Sequence, residues 1–215
     1  MRSLILLFTV AVSACSSNTN TKITHDVLYD IPYDDKTLVI RDVNFDNANK
    51  LCKNLKNNNT VIVASNGGIS DAGLIMMKCL YEAKAKIILM EGHSAGSALS
   101  FGGAEVCLAS DSVISVHRPT MKGLGRFATN YKRKLFNEYS KMQNTIMYVG
   151  GSLDIAHEYT DLVHGSEYKD PSFIFSNLVE IDREKYISLL GDKYKGTCKS
   201  SPYIQSLLKN NRKDK

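Results

Sequence analysis

The sequence has no long hydrophobic run, no strong excess of one charge and no C-x-x-C motif. Its apolar stretch Leu4–Val12 is too short to cross a bilayer as a helix. A formal net charge of +5 over 215 residues is too small to indicate a nucleic-acid partner. The spacing of the cysteines predicts neither a metal nor a redox site. The chain has no internal repeat, and its length is typical of one domain.

The N-terminus has the three parts of an export signal. Arg2 precedes the apolar stretch, and small residues in "VSAC" lead to Cys15, which predicts a signal peptide over 1–14. This ending resembles the lipobox of bacterial lipoproteins, in which the cysteine becomes the lipidated first residue. The resemblance implies a membrane anchor at Cys15, a polar tether over 15–36, and a place on the periplasmic side of the cell envelope, with the outer membrane as one candidate.

Export changes the interpretation of the other four cysteines. In an oxidising compartment we expect at least one disulfide, and three pairings of the four thiols remain open. The four residues are Cys52, Cys79, Cys107 and Cys198.

Apolar strands alternate with helical patterns through the first half of the domain. Strands are predicted over 37–43, 60–65, 85–91 and 111–117, with helices after the first, over 71–84 and from Ser94 onward. This order predicts an α/β fold with a parallel sheet of repeated βα units covered by helices. The part after residue 117 is expected to be rich in helix, including a stripe over 127–147. The predicted domain spans 37–205, followed by a basic tail over 206–215.

Three short segments follow three of these strands and carry reactive residue types. They are Ser65–Gly68, Gly92–Gly96 and His117–Pro119. Carboxyl ends of parallel strands meet at one edge of a sheet, where ligands and catalytic groups gather. The spacing therefore predicts a nucleophile at Ser94 and a general base at His117. Backbone N–H groups of Gly67, Gly68 and Ala95 are the candidate oxyanion donors.

A different enzyme class remains open because residues 92–96 also read G-x-S-x-G, the nucleophile motif of α/β-hydrolases. A lipase-like or esterase-like triad would then need His157 or His164, preceded by Asp154 or Asp161. His157, Asp161 and His164 would also share one helical face, as a metal site or a solvated surface. The interpretation that we favour needs no metal.

The three segments together resemble the Clp protease proteolytic subunit and its crotonase-fold relatives, which include the signal-peptide peptidase A group. That superfamily has an "S-P-G-G"-like turn, an "S-x-G-A"-like nucleophile turn and a strand ending in "H-Q-P". The counterparts here are "SNGG" from Ser65, "SAGSA" from Ser94 and "ISVHRP" from Ile114, within residues 37–120. Asn66 replaces the usual proline, and the Ser94–His117 separation is slightly short.

This resemblance implies a Clp/crotonase-like fold and a serine peptidase that cleaves peptide or protein substrates without a cofactor and forms a homo-oligomer. It also implies a third triad member, Asp170 in "YKDPSF", with Asp154 and Asp161 as rivals. A Ser/Lys dyad with Lys122 is a further alternative. A catalytically inactive envelope lipoprotein of the same fold, with a structural or binding role, also remains open.

Overall fold

A computed structural model describes residues 28–29, 37–119, 128–165 and 178–198, and its centre is one mostly parallel sheet. The strands are β1 (Leu28–Tyr29), β2 (Leu38–Ile40), β3 (Thr60–Ser65), β4 (Lys86–His93), β5 (Glu105–Val116), β6 (Val179–Glu180) and β7 (Tyr194–Cys198). Their order is β1-β7-β5-β4-β3-β2, and β6 pairs antiparallel with β5. The helices are α1 (Phe45–Asn54), α2 (Ser70–Glu82), α3 (Ala128–Tyr148), α4 (Leu153–Gly165) and α5 (Arg183–Leu190), with 3₁₀ helices at Ser94–Gly102 and Gly191–Lys193. The predicted fold class, an α/β protein with a parallel sheet, is confirmed.

Strand β3 contributes residues to the apolar clusters on both faces of the sheet. Its six residues are all buried, as a strand covered on both faces requires. Helix α1 begins where the sequence supplies a cap: the Asn44 side chain accepts a hydrogen bond from the Asn47 N–H at 2.8 Å. Its buried residues Ala48 and Leu51 face the sheet core. Local sequence and burial therefore agree in this half of the molecule.

Strand β5 is longer than the sequence indicates, because it begins at Glu105 and not at residue 111. Its pairing with β4 shifts register after Leu89, and the Arg183 side chain supports the irregular region. Arg183 Nη1 donates to the Ala109 carbonyl at 2.7 Å and to the Ser112 hydroxyl at 2.5 Å. Exposed Ser110 and Asp111 interrupt the apolar pattern, so the sequence showed only the second half of the strand.

The small-residue segment that follows β4 is a 3₁₀ helix over Ser94–Gly102, which refines the expected helix. It packs closely on α2. A Cβ atom at Gly102 would lie 2.3 Å from the Met77 carbonyl oxygen, so only glycine allows this approach.

Two disulfides connect neighbouring elements, which confirms the expectation of at least one. Cys52–Cys79 joins α1 to α2, and Cys107–Cys198 joins β5 to β7. Strand β1 lies within the 15–36 stretch and pairs with β7. No helix in the described ranges is both long and apolar enough to cross a membrane.

Candidate active site

The turn after β3 contacts the turn after β4. Ser65 pairs with Gly92 in the parallel ladder, so both strands end at the same level. Gly67 has a φ of +93°, and a Cβ atom there would lie 2.7 Å from Ser94 Cβ and 2.6 Å from the His93 carbonyl oxygen. Glycine is thus required twice at this position, by its backbone conformation and by its neighbours.

Ser94 has an unusual backbone conformation. Its φ is +52°, a left-handed value that residues other than glycine adopt at a cost of about 1–3 kcal/mol. It lies where β4 turns into the 3₁₀ helix, and it is one of the residues that line a pocket. Strain of this kind collects at functional sites, where the surrounding structure holds a residue in place.

His117 lines the same pocket as Ser94 and follows the last residue of β5. The strands that carry the two residues are paired: His93 is opposite Ser115, and the His93 Nδ1 and Ser115 Oγ atoms are 3.0 Å apart. His117 Nδ1 lies 2.7 Å from the Arg118 carbonyl oxygen. A carbonyl oxygen only accepts hydrogen bonds, so Nδ1 carries the donated proton and, in the neutral ring, Nε2 is the basic nitrogen.

Among the residues that the structure describes, the pocket lining is mainly apolar and includes one carboxylate, that of Glu138. Besides Ser94 and His117 the pocket is lined by Ser70, Gly73, Leu74, Ala95, Ala98, Val116, Pro119, Glu138, Met142, Tyr159 and Val163. Glu138 forms an ion pair with Lys141 at 3.1 Å, and Lys141 also contacts Asp71 at 2.9 Å. These two partners raise the pKa of Lys141, so α2 and α3 are linked at this side of the pocket by a charged lysine.

The three candidate oxyanion donors are not equivalent. The Gly67 N–H donates to the Ser65 hydroxyl at 3.1 Å, so the structure uses this group to hold the turn. Gly68 and Ala95 are the two remaining candidates. Gly68 has a φ of +146°, and a Cβ atom there would lie 2.1 Å from the Val43 carbonyl oxygen.

The residues of the hydrolase and metal alternatives lie elsewhere. His157 is exposed and its Nδ1 is 3.2 Å from Gln143 Nε2, while the His164 ring packs 5.6 Å from the Tyr139 ring. Neither histidine lines the pocket of Ser94, and neither do the exposed Asp154 and Asp161. No group of three potential metal ligands occurs within the described part of the chain. Asp170, Lys122 and Cys15 lie outside the described residues.

Two further polar residues at this site were not identified from the sequence. The Ser97 hydroxyl lies 2.5 Å from the Ser94 carbonyl oxygen, and the Tyr159 hydroxyl lies 2.7 Å from the Ser97 hydroxyl. The i, i+3 spacing of Ser94 and Ser97 is a weak local signal for the first contact. Tyr159 gave no signal, because it comes from α4 and is 62 positions away in the sequence.

Comparison with known proteins identifies the fold. No protein-family model and no curated protein matches the sequence. Among solved structures, a mutant of ClpP1 from Listeria monocytogenes has a TM-score of 0.52 and 13% sequence identity, covering 75% of this chain and 92% of that one. The chain therefore has the Clp/crotonase-like fold that the sequence motifs imply.

Proposed function

We propose that this protein is a lipid-anchored serine peptidase of the cell envelope, with Ser94 as nucleophile and His117 as general base. One observation carries the proposal: Ser94, in a left-handed conformation against Gly67, lines the same pocket as His117. The Clp-like fold supports the same activity, since it is the fold of a peptidase subunit. Neither histidine of the hydrolase alternative lines that pocket, which disfavours a lipase-like triad.

In the proposed reaction the Ser94 hydroxyl attacks the carbonyl carbon of a peptide bond. His117 Nε2 takes the hydroxyl proton, and its Nδ1–H stays on the Arg118 carbonyl. The N–H groups of Gly68 and Ala95 stabilise the oxyanion of the tetrahedral intermediate. His117 then returns the proton to the leaving amine as the C–N bond breaks, and water hydrolyses the Ser94 ester by the same steps.

The pocket supports a preference for an apolar side chain beside the cleaved bond. Leu74, Ala98, Met142 and Val163 are among its lining residues, and burial of an apolar group there is favourable by about 25 cal/mol per Å². Glu138 is already paired with Lys141, so it offers little additional attraction for a cationic side chain.

Asp170 remains our proposed third triad member, as a second acceptor that shares the His117 Nδ1–H with the Arg118 carbonyl oxygen. Asp154 and Asp161 are exposed and neither lines the pocket, which supports this choice over those rivals. Asp170→Asn should lower the rate of turnover strongly, and Asp154→Asn and Asp161→Asn should not. If the rate of turnover falls only in Asp154→Asn or only in Asp161→Asn, the role of third triad member belongs to that residue.

The proposed envelope location is supported by the two disulfides, because disulfides persist in oxidising compartments. Cys15→Ser should release the protein from membranes or block its maturation. An unchanged membrane fraction and an unchanged mass for that variant would contradict the anchor.

The catalytic proposal is tested with a fluorophosphonate probe, which labels only an activated serine. Ser94→Ala and His117→Ala should each abolish labelling. The rate of peptide turnover should be as low in the double variant as in either single variant, because residues that act as one unit are not additive. Folded wild-type protein that resists the probe would favour an inactive envelope lipoprotein. Probe labelling with turnover of esters and not peptides would favour an esterase.

A further inference from the structure

A directed chain of hydrogen bonds leads from α4 to the peptide group that follows Ser94. The Ser94 carbonyl oxygen only accepts, so the Ser97 hydroxyl uses its one proton to donate to it at 2.5 Å. The Tyr159 hydroxyl, 2.7 Å from Ser97 Oγ, must therefore be the donor in the second bond. The direction of both bonds thus follows from counting protons.

The peptide group held by this chain joins Ser94 to Ala95. In a planar trans peptide the C=O and N–H bonds point in opposite directions, so fixing the Ser94 carbonyl also fixes the Ala95 N–H. A hydrogen bond accepted by the carbonyl also polarises the amide and strengthens its N–H as a donor. Ala95 is one of the two candidate oxyanion donors, so the chain ends at the site of negative charge in the proposed reaction.

A second chain holds the same segment from α5. The Tyr186 hydroxyl donates to the Ser97 carbonyl, and the Ser100 hydroxyl therefore donates to Tyr186. Tyr159 and Tyr186 are both fully buried, and the Phe101 ring packs against both. Burial raises the pKa of Tyr159 to about 12, so its hydroxyl keeps the proton that the chain requires. The order of donors is consequently stable at neutral pH.

We propose that Ser97 and Tyr159 are positioning residues for the oxyanion site: they fix and polarise the Ser94–Ala95 peptide so that the Ala95 N–H faces the developing oxyanion. The inference rests on the proposed function, since it assigns Ala95 a role only if Ser94 is the nucleophile. It adds two residues that act through the Ser94–Ala95 peptide group. Tyr159 also lines the pocket, which places this support beside the proposed substrate site.

The test uses Ser97→Ala and Tyr159→Phe in the full-length protein, each of which removes one hydroxyl from the chain. The matched control is Thr160→Val. Thr160 is also buried on α4, but its hydroxyl donates to the Ala156 carbonyl of its own helix at 2.6 Å. Labelling by a fluorophosphonate, whose phosphoryl oxygen occupies the oxyanion site, is measured as a maximal rate and a half-saturating concentration. Affinity for a peptidyl boronic acid with a leucine side chain provides a second readout.

We expect the maximal labelling rate of Ser97→Ala to fall about tenfold, less than the 10²–10³ that loss of a whole oxyanion donor costs. The maximal labelling rate of Tyr159→Phe should fall about threefold. The rate of the double variant should be no lower than that of Ser97→Ala, because the two hydroxyls act in series. Half-saturating concentrations should stay unchanged, and boronic acid affinity should fall in parallel with the rate. Thr160→Val should label at the wild-type rate.

Two results overturn the inference and leave the proposed function intact. If Ser97→Ala and Tyr159→Phe label at the wild-type rate, the two residues have no positioning role, and Ser94 is still the nucleophile. Equal losses in Tyr159→Phe and Thr160→Val, in step with thermal stability, also remove that role, because they indicate a general packing effect. If wild-type protein shows no labelling that depends on Ser94, the proposed function fails and the inference fails with it.

Discussion

His117 Nδ1 donates a hydrogen bond to the carbonyl oxygen of Arg118 at 2.7 Å. The Arg118 side chain is itself held, because its Nε donates to the His164 carbonyl at 2.5 Å, near the end of α4. The main chain after β5 thus orients the ring and selects the tautomer whose Nε2 is basic. This separates two roles of His117, as a donor to the backbone and as a base.

Replacement of His117 by asparagine tests these roles separately. The introduced side-chain amide can still donate to the Arg118 carbonyl, but it cannot accept a proton from Ser94. We expect His117→Asn to lose fluorophosphonate labelling as completely as Ser94→Ala, with a change in unfolding free energy within about 1 kcal/mol. His164→Asn is the control and should label normally. Loss of labelling in the control and not in His117→Asn would favour the lipase-like triad.

Gly67→Ala should damage both the fold and the site. Its φ of +93° and the contacts of its added Cβ with His93 and Ser94 predict a loss of about 3 kcal/mol or more in unfolding free energy. Gly150→Ala is a matched control, since Gly150 has a φ of +85°, close to that of Gly67, and the atom nearest to an added Cβ is Tyr81 Cε2 at 3.8 Å. Backbone strain alone should cost about 1–3 kcal/mol there. Urea unfolding that ranks the two variants equally would contradict the close contact with Ser94.

The two disulfides should differ in their contribution to stability. Cys107 and Cys198 are 91 positions apart, and Cys52 and Cys79 are 27 apart. Loop-closure entropy predicts that replacing the first pair by alanine costs about 1 kcal/mol more than replacing the second. Urea unfolding of the two double variants measures this difference. A larger loss of stability on replacing Cys52 and Cys79 would show that unfolded-state entropy does not decide the difference between the two disulfides.

Lys193 should make stability depend on pH. Burial lowers the pKa of Lys193 to about 8, although its Nζ still donates to the Phe101 and Val149 carbonyls. The unfolded chain keeps the ordinary value of 10.5, so it binds more protons between these two values. This contribution to the unfolding free energy is fully present above about 10.5 and is lost as the pH falls through 8.

Comparison with Lys193→Met isolates this contribution from that of other groups. We expect the stability difference, wild type minus variant, to rise from pH 8 toward pH 10.5. Lys195→Met is the control, because Lys195 is exposed and its Nζ donates to the Asp192 carbonyl at the protein surface. A difference that stays constant with pH for Lys193→Met would show that the amine is not desolvated.

Much of the sheet was predictable because strands such as β3 are continuously apolar and helix α1 begins at a recognisable cap, Asn44. The residues Gly67, Ser94 and His117 were identified for a related reason: each follows a strand, and parallel strands end together. The first half of β5 was missed because an irregular, partly polar stretch, supported by Arg183, lies inside the strand.

The support for the site was not predictable in the same way. Tyr159 and Tyr186 are 62 and 89 positions from Ser97, and a buried tyrosine in an amphipathic helix looks like any core residue. Only the packing of α4 and α5 brings their hydroxyls to the 3₁₀ helix. The use of the Gly67 N–H by Ser65 was likewise invisible, because it depends on the shape of the turn.

The most direct test of the account is the position of a covalent adduct on the wild-type protein. Full-length protein treated with a fluorophosphonate is digested, and the modified peptide is identified by mass spectrometry, with Ser94→Ala treated in parallel. The account predicts a single adduct on Ser94 and none in the variant. Folded wild-type protein without an adduct, or with one that persists in Ser94→Ala, would contradict it.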